Sequence, residues 1–161
     1  MTGKKDQNAS TENVHQHLAS YIVGIRHVGH IVKDLAGSVR SFQRLYGVGD
    51  DAVQIVPPYE QEASTRFAFV RVADMEFELI EANTEPFVSL LGASEKGQGG
   101  INHVAWTVSD VETAVKHLEK VGILPGHVTP NGVVSFSGRK MVYLDPDTCG
   151  GLLVELVEDV L

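Results

Sequence analysis

Cysteine is almost missing from this chain: Cys149 is the only one in 161 residues. No disulfide can close within the chain, and a reducing, cytoplasmic setting is the expectation. Basic residues are also scarce. Thirteen Lys and Arg stand against 21 Asp and Glu, for a formal net charge of −8. A surface of that sign repels phosphate backbones, so nucleic acid is excluded as the expected partner. Apolar runs long enough to span a bilayer are absent, which argues against a membrane protein. The first 20 residues, MTGKKDQNASTENVHQHLAS, lack the apolar stretch of a signal peptide. They read as a mobile tail with His15 and His17 as bystanders. The chain is still 43% hydrophobic, enough to bury a core. Its length fits a single domain over residues 21–161.

What is present is an internal repeat. IRHVGHIVKDLAGSVRSFQRLYG, residues 25–47, is answered by INHVAWTVSDVETAVKHLEKVG, residues 101–122. With residue 25 laid on residue 101, His27 falls on His103, Val32 on Val108, Asp34 on Asp110 and Val39 on Val115. The two halves end alike as well. FELIE (77–81) matches VELVE (154–158), which lays Glu78 on Glu155.

Each half carries the same order of elements. An alternating strand comes first, over Ile25–Val32 and Ile101–Val108. A helix follows, with Leu35, Val39, Phe42 and Leu45 recurring at helical spacing, as do Val111, Val115, Leu118 and Val121. Asp34 and Asp110 stand at the N-cap positions, and Gly47 and Gly122 where each helix should stop. Three strand-like runs complete each half. They cover about 51–56, 65–72 and 75–82, then about 127–129, 132–144 (with a candidate break at Ser137-Gly138) and 152–158. The expectation is an α+β fold: two βαβββ modules, about 25–82 and 101–158, pairing into a cupped mixed sheet. The linker, 83–100, reads as a short helix around 86–91 and a glycine-rich loop.

The repeat also selects four polar residues. Alternate residues of a strand share a face, so Ile25, His27 and Gly29 lie together, as do Ile101, His103 and Ala105. Glu78 and Glu155 are carboxylates embedded in apolar strands, costly to bury unless paired or bound to a cation. Two His and two Glu recurring in register suggest one shared divalent metal: Co, Zn, Ni, Mn or Fe. The other histidines do not recur. His30 faces away from His27, His117 lies on the second helix, and His127 lies in a loop.

With these residues in place, the chain resembles the vicinal oxygen chelate (glyoxalase/bleomycin resistance/dioxygenase) superfamily. The resemblance covers about 25–158 and is carried by HVGHIVKDL, INHVAWTVSDVE and LLVELVE. It implies His27, Glu78, His103 and Glu155 as the metal ligands. Within the superfamily the chain is most similar to the methylmalonyl-CoA epimerases, through FELIEANTEPFVSLL, GQGGINHVAW and DPDTCGGLLVEL. That likeness implies an acyl-CoA substrate, a homodimer and 1,1-proton transfer through a metal-stabilised enolate. The chain departs from the epimerase pattern at Asn102, where a histidine is usual, and at Asp145-Pro146.

The epimerase base is a Glu entering the second strand. Here PPYEQEASTRFAFV offers Glu60 and Glu62, two residues apart and so expected to share a strand face. Both stand as candidates. Glu155, with a second carboxylate oxygen, is the candidate for the opposite face. Ser137-Gly138-Arg139-Lys140 offers a basic edge for the CoA arm. The rival readings are a glyoxalase I-type lactoylglutathione lyase, an iron dioxygenase and a non-catalytic small-molecule-binding member. The lyase suits the four ligands and Asp145-Pro146 but lacks the Asn-Trp-Gly that often follows the second ligand; residues 82–84 read Ala-Asn-Thr. The dioxygenase uses two His and one Glu, leaving Glu78 to crowd the oxygen positions. The binding members often lose ligands that this chain keeps.

Overall fold

The computed structural model describes residues 18–91, 99–126, 128–136 and 138–160. Among them the elements run β1 (Ile22–Val32), α1 (Leu35–Tyr46), β2 (Val53–Val56), β3 (Phe67–Val72), β4 (Met75–Glu81) and α2 (Phe87–Leu91). The second half follows as β5 (Gly99–Val108), α3 (Val111–Lys120), β6 (Val134–Phe136), β7 (Arg139–Leu144) and β8 (Val154–Asp159). All eight strands join one open mixed sheet in the order β2-β3-β4-β1-β5-β8-β7-β6. The order is symmetric about its centre. β1 is parallel to β4 and β5 to β8, and the modules meet in an antiparallel seam between β1 and β5. This is the α+β arrangement of two βαβββ modules that the repeat implies.

The helices begin and end where the sequence marks them. Asp34 accepts the Gly37 N–H at 2.9 Å, and Asp110 accepts the Thr113 N–H at 2.9 Å. These side chains satisfy donors that have no partner in the first helical turn. α1 stops at Gly47, whose φ of 69° is left-handed. α1 and α3 each cover one face of their own module, and the buried residues form two cores. Val32, Leu35, Ala68, Val70 and Leu79 form the first. Val108, Val111, Val115, Val142, Leu144 and Leu156 anchor the second. Burying these alternate residues under the helices commits the other strand face to the open side of the sheet.

Two expectations need correction, and a third is settled by the structure. No strand forms at 127–129 among the described residues; instead Thr129 is a buried side chain whose Oγ1 accepts the Tyr143 N–H at 2.7 Å. A side chain there does what a strand partner would do. The run 132–144 divides at 137–138, the break the sequence offered, into two strands, β6 and β7. Glu60 and Glu62 lie in the irregular connection between β2 and β3, not on a strand. Residues 1–17, His127, Ser137 and most of the glycine-rich linker lie outside the described residues. Among those described, no helix is long and apolar enough to cross a membrane.

Candidate metal centre

The seam between β1 and β5 sets the site. His27 lies opposite Ala105 and His103 opposite Gly29, so each imidazole stands over a small residue of the other strand. At Gly29 the need is steric. A Cβ built there would lie 2.0 Å from Cε1 of His103. The register of the seam slips beside both histidines. Arg26, just before His27, and Asn102, just before His103, each lack a direct partner across the seam. These are β-bulges, which re-aim side chains and concentrate near functional sites.

The carboxylates arrive from the strands flanking the seam. Glu78 on β4 lies beside Gly29, and Glu155 on β8 beside Ala105. Directly paired residues share a face, so all four polar side chains meet on the face that the helices leave open. His27 Nε2 and His103 Nε2 are 3.0 Å apart. Glu155 Oε2 lies 3.2 Å from the first and 3.4 Å from the second. Glu78 Oε2 lies 3.4 Å and 3.5 Å from the same two atoms. His27, His103 and Glu155 are buried.

Three of these side chains, His27, His103 and Glu155, fit a divalent cation: one donor atom of each lies within 4.8 Å of the others, a group that leaves out Glu78. Glu155 Oε2 is buried with no hydrogen-bond donor, although it faces two ring nitrogens. Atoms held about 2.1 Å from one ion stand about 3.0 Å apart at a right angle and about 3.4 Å apart at a tetrahedral angle. The separations among His27, His103 and Glu155 fall in that range, and those of Glu78 lie at or just beyond its upper end. Burial works against charge on His103, but the Glu155 and Glu78 carboxylates outweigh it and raise the ring to about 9. Burial likewise opposes the Glu155 carboxylate, yet the His103 and His27 rings hold it down at about 2.

Aromatic rings wall the cluster in equivalent places. Phe69 packs edge-on to His27, with centroids 6.3 Å apart, and Tyr143 edge-on to His103 at 5.4 Å. Phe69 pairs with Glu78 across β3–β4, and Tyr143 with Glu155 across β7–β8. Burial, then the nearby Glu155 and Glu78 carboxylates, push the Tyr143 phenol up, which keeps it protonated. Sequence reasoning missed both rings. Their signal is the cross-strand pairing, and it becomes visible only once registers are known.

The candidate bases are not drawn into this cluster. Glu60 and Glu62 are exposed, and among the described residues neither carboxylate forms a hydrogen bond or ion pair. Their loop is held instead by Arg66. Its guanidinium donates to the carbonyls of Pro57 at 3.0 Å and Gln61 at 2.6 Å, and lies 5.0 Å from the centre of the Tyr59 ring. The basic edge at 139–140 is divided between the two sheet faces. Arg139 pairs with Asp159 at 3.2 Å, while Lys140 reaches Glu112 on α3 at 2.7 Å. The remaining described histidines belong to the helix side. His30 packs edge-on to Phe42, and His117 Nδ1 is 2.7 Å from the Tyr21 hydroxyl.

The sequence profile of the Glyoxalase/Bleomycin resistance protein/Dioxygenase superfamily matches residues 26–143. The chain belongs to that superfamily. Among curated relatives, the mitochondrial methylmalonyl-CoA epimerase of Mus musculus is 27% identical over 134 residues, covering 82% of this chain and 71% of its own. That of Dictyostelium discoideum is 28% identical over 138 residues, covering 83% and 77%. Among solved structures, methylmalonyl-CoA epimerase from Mycobacterium tuberculosis superposes with a TM-score of 0.67 at 22% identity, over 88% of this chain and 91% of its own. A variant of the Streptomyces coelicolor epimerase, in complex with 2-nitronate-propionyl-CoA, gives the same TM-score and identity over 87% and 99%. These superpositions show that the chain has the superfamily fold. The resemblance to epimerases read from the sequence is borne out by the named relatives.

Proposed function

We propose that the chain is a divalent-metal-dependent epimerase acting on methylmalonyl-CoA or a similar acyl-CoA. The observation that carries the metal half of this reading is the buried, donorless Oε2 of Glu155 facing Nε2 of both histidines. The substrate half is supported by the epimerase relatives. His27, Glu78, His103 and Glu155 hold the ion, and Co, Zn, Ni, Mn or Fe suits their imidazole and carboxylate donors. A bound cation of this kind supplies Lewis acidity that stabilises an enolate next to a thioester carbonyl.

The residues then have two tasks. One carboxylate takes the proton from C2, and a group on the other side returns a proton to the opposite face. Glu60 or Glu62 serves one face and Glu155 the other. No electrons change hands, and the product differs from the substrate only in configuration. Residues 21–161 work as one domain, in a cytoplasmic homodimer.

The test is proton exchange. The protein is stripped with chelator, reloaded with Co²⁺ in D₂O, and deuterium entering C2 of methylmalonyl-CoA is followed by mass spectrometry. Metal-dependent exchange that is lost in Glu155→Ala, and in one of Glu60→Ala or Glu62→Ala, supports the reading and selects the base. Absence of exchange in a protein that holds its metal refutes it for this substrate.

A further inference from the structure

Two of the three bulges of the seam, those beside His27 and His103, occupy equivalent positions but carry different residues. In module one the extra residue is Arg26, and it turns away from the site. Its Nη1 donates to Oδ2 of Asp159 at 2.7 Å, at the far end of β8. In module two the extra residue is Asn102, whose Oδ1 lies 3.0 Å from Nδ1 of His103. Residues 102 and 103 of a regular strand would face opposite sides of the sheet. The bulge is what allows neighbouring side chains to meet.

We infer that Asn102 is a positioning residue for the metal centre. Its Oδ1 accepts the Nδ1–H of His103. That fixes the ring in one tautomer and leaves the Nε2 lone pair directed at His27 Nε2, Glu78 and Glu155. A histidine ligand held through its second nitrogen is a better and better-aimed donor. The ring has little other freedom, since it fills the space above Gly29 and meets the edge of Tyr143. Among the described residues no group does the same for Nδ1 of His27. The two histidines are thus equivalent in sequence and unequal in support. This inference rests on the metal reading above and adds the residue that makes His103 its more firmly fixed ligand.

The test uses the full chain and Zn²⁺ alone. Affinity is read by competition with a chelator, and the His103 Nδ1–H by proton NMR of the zinc-loaded protein. Asn102→Ala should weaken Zn²⁺ binding by about 10- to 100-fold, the usual effect of losing such a partner. It should also remove the exchange-protected Nδ1–H signal seen in wild type. Asn102→Asp keeps an acceptor and should retain both. Wild-type affinity in Asn102→Ala, or a wild-type His103 with no protected Nδ1–H, overturns the inference. A wild type that takes up no Zn²⁺ overturns the metal reading itself, so the two failures are told apart. Should Asn102→Ala fail to fold, the wild-type proton signal alone still decides.

Discussion

The two modules share their order of elements, and each gives one histidine and one glutamate to the central cluster, but they divide their connecting chain differently. In module one the link between β2 and β3 is the ten-residue stretch 57–66, and only residues 47–52 separate α1 from β2. In module two β6 and β7 are joined by residues 137–138 alone, while 121–133 separate α3 from β6. The long connection of module one carries both candidate bases. The long one of module two supplies Thr129, which completes the backbone pairing of Tyr143. The four side chains of the cluster differ in exposure as well. The His103 and Glu155 side chains are 1% and 3% exposed, against 9% and 13% for His27 and Glu78. Under the proposed function, a fixed sheet with variable connections lets one half serve as the anchor of the site and the other as its working edge.

The largest expected effect would break that comparison if it failed to appear. Glu155→Ala should lower metal affinity by more than about 100-fold, beyond the range for losing a residue that only orients a ligand. Glu78→Ala should cost clearly less, because a water molecule can reach its more exposed position. Chelator competition on both variants measures this, and equal losses would contradict the anchor role of module two. Next comes the pair of small residues under the rings. Gly29→Ala forces a methyl into the His103 ring and should destabilise by about 1–3 kcal/mol in urea unfolding. Ala105→Gly, at the equivalent place, removes a methyl already accommodated and should cost only about 0.5–1 kcal/mol. The smallest effect sharpens the contrast between loops. Arg66→Ala should cost about 1 kcal/mol and raise amide hydrogen exchange selectively over 57–66. Unchanged exchange there would show that the loop is held by other contacts.

Much of this was legible because the repeat supplies its own control. A single strand histidine says little, whereas His27 and His103 in register, with Glu78 and Glu155 in register, define one centre. Helix limits were legible through Asp34, Asp110 and Gly47, since capping is local chemistry. The failures all involve pairing between distant segments. A run ending at Thr129 has strand-like composition, but its partner edge on β7 is met by a hydroxyl. Arg26 and Asn102 alternate correctly with their neighbours, and nothing in alternation marks them as bulges. Tyr143 looks like any strand aromatic until β7 is laid beside β8. The two-residue spacing of Glu60 and Glu62 suggests a shared strand face, but both fall in the gap between β2 and β3.

The antiparallel seam has one further consequence. Under the proposed function each module brings one imidazole and one carboxylate, half of a coordination sphere. Were the halves separate molecules, capturing an ion would require a second encounter, and affinity would fall with dilution. Joined through residues 83–98, the second half-site is always present at a high effective concentration. Covalent continuity thus converts a concentration-dependent assembly into a property of the single chain.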